Sequence, residues 1–267
     1  MSLPSNAFKI ALREGRQQIG LWLAMADAYA AEIAGHSGFD WLVIDGEHGP
    51  NDLRSIMAQL QALQASPAEP VVRLPVGESW MIKQMLDVGA RTLLIPMVDS
   101  AEQAEALVRA VRYPPNGIRG MGAAIARASR FSTIPDYVQH ASDDICLLVQ
   151  VETRAAMADL ERIAAVEGLD GIFIGPADLA ADLGFPGNFH APEVQSVIEA
   201  GIATILGAGK PAGILTFDPA LNRRYLELGA TFVAVGADVT EFSAALTNLR
   251  RKYSPAGDEA APAVRGY

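Results

Sequence analysis

One cysteine, Cys146, stands in 267 residues, so no intrachain disulfide can form and a reducing compartment is expected. Placed inside a predicted strand, that thiol reads as inert core packing. Basic residues are in deficit: 21 Lys and Arg against 31 Asp and Glu leave a formal net charge of −10. With no basic run to offset it, this balance argues against a nucleic-acid or membrane-surface partner. It does not forbid an anionic small-molecule substrate, because a bound metal and one or two arginines reverse the sign locally. No apolar run approaches the roughly 20 residues of a membrane span. Met1–Lys9 has no basic segment followed by an apolar stretch, so no secretory signal is expected and a cytoplasmic protein is.

What the chain does have is regular alternation. Half its residues are hydrophobic, and apolar runs of strand length alternate with helical periodicity throughout. The predicted strands are Gly20–Ala24, Asp40–Ile44, Pro70–Leu74, Thr92–Pro96, Ile145–Val151, Leu169–Ile174, Ala212–Leu215 and Phe232–Val235. Predicted helices follow them, near Ala28–Ile33, Asn51–Leu63 with Asn51 as its cap, Ser79–Val88 and Ala101–Val111. Four more lie near Arg154–Ala165, Pro192–Gly207, Pro219–Leu228 and Val239–Lys252. One long interruption, Tyr113 to Thr133, is rich in Gly, Pro and Arg. Continuously apolar strands flanked by helices are covered on both faces. Eight such units without a composition break predict a single (β/α)₈ barrel over residues 1–253. The Ala-, Pro- and Gly-rich tail 254–267 reads as mobile or as packed on a partner subunit.

Chemistry gathers where strands end. Ile145–Val151 runs into Gln150-Val151-Glu152, and Leu169–Ile174 into Gly175-Pro176-Ala177-Asp178. Residues two apart on a strand share a face, so Gln150 and Glu152 point together, with Cys146 and Leu148 behind them. A buried Glu152 needs a cation or a proton. Paired with Asp178 and without His or Cys nearby, it suits Mg²⁺, Mn²⁺ or a related divalent ion. A structural ion pair with an arginine is the plainer alternative. Asp40–Ile44 ends in Asp45-Gly46-Glu47-His48, which offers an imidazole and carboxylates on one strand-end loop. His48 reads as a base facing the metal site; His36, His140 and His190 read as structural or solvated. Glu47, out of phase with Asp45, reads as a supporting or surface group. Arg73, after Val71-Val72, could clamp a carboxylate or stabilise a developing oxyanion, or pair with Glu152 or Asp178.

Lysines are scarce as well. Only Lys9, Lys83, Lys210 and Lys252 are present, none of them at the end of a strand where Schiff-base chemistry would need one. Electrophilic catalysis therefore falls to a metal.

In four segments the chain resembles the HpcH/HpaI aldolase family of metal-dependent pyruvate aldolases. They are Phe39-Asp40-Trp41-Leu42-Val43-Ile44-Asp45-Gly46-Glu47-His48, Tyr113-Pro114-Pro115-Asn116-Gly117-Ile118-Arg119-Gly120, Gln150-Val151-Glu152-Thr153 and Ile174-Gly175-Pro176-Ala177-Asp178-Leu179-Ala180. The resemblance spans roughly Phe8 to Tyr253 with the motifs in order. It implies a divalent cation (Mg²⁺, Mn²⁺ or Co²⁺) on Glu152 and Asp178, with His48 as base and Arg73 as enolate stabiliser. It also implies that Asp87 raises the basicity of the histidine across a subunit interface, and that Asp45 belongs to the catalytic group. Substrate contacts are implied for Gln150 and Ala177; Gly175 and Pro176 beside them are expected to join them, and Leu215, Phe185 and Phe217 are candidates for the aldehyde side. The implied reaction cleaves a 4-hydroxy-2-oxo acid of the 4-hydroxy-2-oxoheptanedioate type to pyruvate and an aldehyde, in a homohexamer of aromatic- or sugar-acid catabolism. The rival readings are an acyl-CoA carbon–carbon lyase and a non-catalytic keto-acid-binding barrel. Against the first, no extra segment for CoA is evident; against the second, no base or ligand is missing.

Overall fold

The computed structural model describes residues 5–253; the predicted tail, 254–267, lies outside them. Eight parallel strands close into a barrel in sequence order. They are β1 (Gln18–Leu23), β2 (Trp41–Asp45), β3 (Glu69–Arg73), β4 (Thr92–Ile95), β5 (Cys146–Val151), β6 (Gly171–Ile174), β7 (Ala212–Leu215) and β8 (Phe232–Ala237). The helices are α1 (Ala7–Arg13), α2 (Ala28–Gly35), α3 (Leu53–Ala62), α4 (Ser79–Asp87), α5 (Ala101–Ala110) and α6 (Tyr137–Asp144). They continue as α7 (Arg154–Ala158), α8 (Leu160–Ala165), α9 (Pro176–Asp182), α10 (Pro192–Gly207), α11 (Pro219–Glu227) and α12 (Asp238–Arg251). The expected (β/α)₈ barrel is what forms, and among the described residues no helix is long and apolar enough to cross a membrane.

Two apolar layers hold it. Leu42, Ile44, Val72, Leu93, Val149, Ile172 and Val233 pack outward under the helices. Trp22, Trp41, Val43, Leu148, Phe173 and Phe232 fill the interior, joined by Cys146, which is buried as expected. Tilted aromatic rings pack along the interior, Phe8 against Trp41 at 5.5 Å and Trp22 against Phe173 at 5.5 Å between centroids. Such contacts add to the area each ring buries.

Four local details depart from the sequence reading. Helix α1 was not expected; Asn6 caps it by accepting from the Lys9 N–H, and Phe8 and Leu12 close the floor of the barrel. Asp52, not Asn51, caps α3, in a capping box with Ser55. Asn51 instead donates to the Asp45 carbonyl and tethers the strand-end loop. The Arg154–Ala165 helix is two short helices, broken at Asp159. The interruption after α5 ends in α6, which the sequence periodicity had not revealed.

Candidate active site at the strand ends

The C-terminal rim of the barrel collects the chemistry, as in barrels generally. Asp45 and Arg73 end β2 and β3 as register partners. Arg73 donates through Nε to Asp45 Oδ1 at 2.9 Å and through NH2 to Asp45 Oδ2 at 2.7 Å, a two-pronged clamp. Asp45 also accepts from the backbone N–H groups of Glu47 (3.0 Å) and His48 (3.3 Å). Burial alone would raise the Asp45 carboxyl; the Arg73 hydrogen bonds and charge, with these two N–H groups, outweigh burial and hold it below its ordinary value. Asp45 thus holds Arg73 and the turn as a carboxylate. The alternative partners for Arg73, Glu152 and Asp178, are not the ones it takes.

Of its two readings, Glu47 takes the supporting one. It is half-buried, and its Oε2 lies 2.8 Å from Arg73 NH1. That oxygen is inaccessible and forms no hydrogen bond, so the contact is one of charge alone. Burial raises the Glu47 carboxyl, with Arg73 and His48 opposing and Asp45 and Asp178 reinforcing the rise. The face of the guanidinium lies over Trp22 of β1, 5.1 Å from the ring centroid. His48 follows on the same loop and is exposed to solvent at the rim.

Just past β5, Glu152 is 1% exposed. Its Oε1 accepts from the Met97 N–H at 2.9 Å, and its Oε2 accepts from Gln150 Nε2. Met97, just past β4, has a left-handed backbone at φ 55°, which a methionine rarely adopts. Strain of this kind marks functional sites. Burial pushes the Glu152 carboxyl up to about 7; the Met97 N–H and Gln150 pull down, while Asp178 and Glu47 push up with burial.

Gly175 caps α9, and its missing side chain is required. A Cβ there would lie 2.9 Å from Gln150 Nε2 and collide with Glu152 Oε2. Pro176 opens α9, and Asp178 sits in its first turn, exposed, so the expected strand-end loop is a helix start. Ala177 is exposed and Pro176 half-buried beside it. Leu215 and Phe217 are partly buried against the barrel interior, whereas Phe185 packs on the outer layer beneath the helices.

Asp87 is not brought to this rim. It ends α4 near the opposite end of the barrel, where Arg119 NH2 donates to its Oδ1 at 2.7 Å. A helix that returns antiparallel to its strand carries its last residue away from the strand's C-terminal end, so within one chain Asp87 and His48 stand apart. A cavity of about 500 Å³ beside Arg119 and Arg91 holds none of the expected site residues.

Trp22 and the Met97 N–H were not singled out as site groups from sequence. The aromatic could have been, since it sits at a strand end; a backbone N–H leaves no sequence signal.

These features make a (β/α)₈ enzyme with an acidic, arginine-bearing mouth. The chain matches the HpcH/HpaI aldolase/citrate lyase family model over residues 18–245. A hydroxypyruvate/pyruvate aldolase of Agrobacterium fabrum is 68% identical over 267 residues, 100% of both chains. A 4-hydroxy-2-oxo-heptane-1,7-dioate aldolase of Salmonella dublin is 58% identical over 235 residues, 88% of this chain and 89% of that one. The crystal structure of a family member from Burkholderia cenocepacia J2315 superposes with a TM-score of 0.90 at 40% identity, over 94% of this chain and 100% of that one. The chain belongs to the HpcH/HpaI aldolase/citrate lyase family, and it is a carbon–carbon lyase of the aldolase kind.

Proposed function

We propose that the chain reversibly cleaves a 4-hydroxy-2-oxo acid to pyruvate or hydroxypyruvate and an aldehyde, with Mg²⁺, Mn²⁺ or Co²⁺ held by Glu152 and Asp178. The carrying observation is Glu152: a buried carboxylate, raised by burial, packed on the backbone of Gly175 in a mouth shared with Asp178 and Arg73. The donor set fits a hard cation. Among the described residues no three His, Cys, Asp or Glu side chains form a cation site by themselves. Two carboxylates would leave most positions of a six-coordinate ion for substrate oxygens and water. The donor names carried by the relatives are those of 2-oxo acids, which bind in this way.

When bound, such a cation supplies a Lewis acid that polarises the 2-oxo group. The protein does the rest. Arg73, immobilised by Asp45, stands ready for the negative charge that develops on the enolate oxygen. His48 takes the proton of the C4 hydroxyl as the C3–C4 bond breaks, directly or through a water. Gln150, Gly175, Pro176 and Ala177 shape the 2-oxo acid side, and Leu215 and Phe217 the aldehyde side. Asp87 serves the histidine of a neighbouring subunit. That role needs a homo-oligomer, read as a hexamer from the family resemblance; the exposed apolar Phe242, Leu246 and Leu249 of α12 support association but not its stoichiometry. Pyruvate release from a panel of 4-hydroxy-2-oxo acids, with and without EDTA, tests the reading. Release that EDTA leaves undiminished, or no release from any of them, refutes it.

A further inference from the structure

The mouth holds an anion to which the proposed reaction gives no part. We infer that Glu47 is a positioning residue that fixes Arg73 from the solvent side and keeps its guanidinium in the plane that faces the enolate oxygen. The inference rests on the proposed role of Arg73.

Three contacts surround the guanidinium. Asp45 takes its Nε and NH2 at 2.9 and 2.7 Å. Trp22 supports one face, 5.1 Å from the ring centroid. Neither contact involves NH1, and the group could still tilt about the Asp45 fork. Glu47 Oε2 lies 2.8 Å from NH1 and closes that freedom.

The contact is expensive for the fold. Asp45 already supplies a carboxylate to Arg73, so a second is not needed to neutralise it. Glu47 adds a further negative charge to a rim that holds Asp45, Glu152 and Asp178, and its buried Oε2 has no hydrogen bond. A buried polar oxygen without a hydrogen bond is destabilising. Groups that lower stability in this way are characteristic of functional sites. Placement is where such a group matters, because a displacement of about 1 Å at a reacting centre can lower a rate by about 10²-fold.

A double-mutant cycle tests this, read by binding and by turnover. Oxalate, a planar dianion shaped like pyruvate enolate, is titrated calorimetrically in the presence of Mg²⁺. Glu47→Ala should weaken oxalate about tenfold and lower kcat about 10- to 10²-fold, with KM changed less. In an Arg73→Ala background the same substitution should add nothing to either loss. Glu47→Gln keeps the size but removes the charge, so it should lose about as much as Glu47→Ala; it carries the same cycle if Glu47→Ala does not fold. Losses that add fully to those of Arg73→Ala, or wild-type oxalate affinity in both Glu47 variants, overturn the inference. The binding arm holds whether or not the chain releases pyruvate, so this inference and the aldolase substrate reading fail separately.

Discussion

Gly175 and Glu152 compete for one volume: the space where a side chain at 175 would begin is filled by the Glu152 carboxylate. Gly175→Ala should therefore displace Glu152 and destabilise the fold by about 1–3 kcal/mol, as overpacking does. The loss of activity should be larger than that of stability, because the displaced group is a proposed metal ligand. Glu152→Ala and Asp178→Ala should abolish cleavage and weaken cation binding measured by calorimetry. A Gly175→Ala protein with wild-type cation affinity would show that Glu152 has room to move.

Metal-free protein should lose stability as pH rises. Burial lifts the Glu152 carboxyl from its ordinary 4.5 to about 7, so the folded state keeps that proton longer than the unfolded chain. The stabilisation is complete below the ordinary value and is lost as pH climbs through about 7. In EDTA the thermal midpoint should fall between about pH 5 and 8, and Glu152→Gln should flatten this portion. Added Mg²⁺ should raise the midpoint more at the alkaline end, where the carboxylate is ionised. A wild-type curve superimposable on that of Glu152→Gln would count against the argument.

The barrel was legible from sequence because eight apolar runs, each too short for a helix and each followed by helical periodicity, allow few other packings. Glu152, Arg73 and Asp178 were legible because a charge at the end of such a run has to be placed somewhere. What sequence could not convey was pairing. That Arg73 takes Asp45 depends on the register of β2 with β3, and a register leaves no trace in either strand alone. Glu47 was legible only as a supporting or a surface group, because past the end of β2 the chain has turned and strand alternation no longer says which way a side chain points. Helix α1 escaped because its Phe8 and Leu12 form a plug and not the long stripe by which amphipathic helices are found.

Borohydride reduction in the presence of pyruvate should trap no covalent adduct. Lys9 lies on the barrel floor, 3.3 Å from Asp170 Oδ1, and Lys210 donates to the Leu169 carbonyl at 2.8 Å before β6. Lys83 is within α4, and Lys252 follows α12. None reaches the rim where the carboxylates stand. A lysine-bound three-carbon unit detected by mass spectrometry would move the enzyme to Schiff-base chemistry.

His48 and Arg73 should separate in two assays. A general base contributes typically about 10²–10⁴-fold, so His48→Ala should lower aldol cleavage within that range. Exchange of the pyruvate methyl protons with solvent should suffer less, because that exchange requires no proton from a C4 hydroxyl. Arg73→Ala removes the charge proposed to meet the enolate, and both reactions pass through the enolate, so both should fall together. The fall is compounded because Asp45 and Glu47 would then face each other without the cation between them. Retained exchange in Arg73→Ala, alongside unchanged cleavage in His48→Ala, would overturn both assignments, which rest on the fixed positive charge of Arg73 and the exposed rim position of His48.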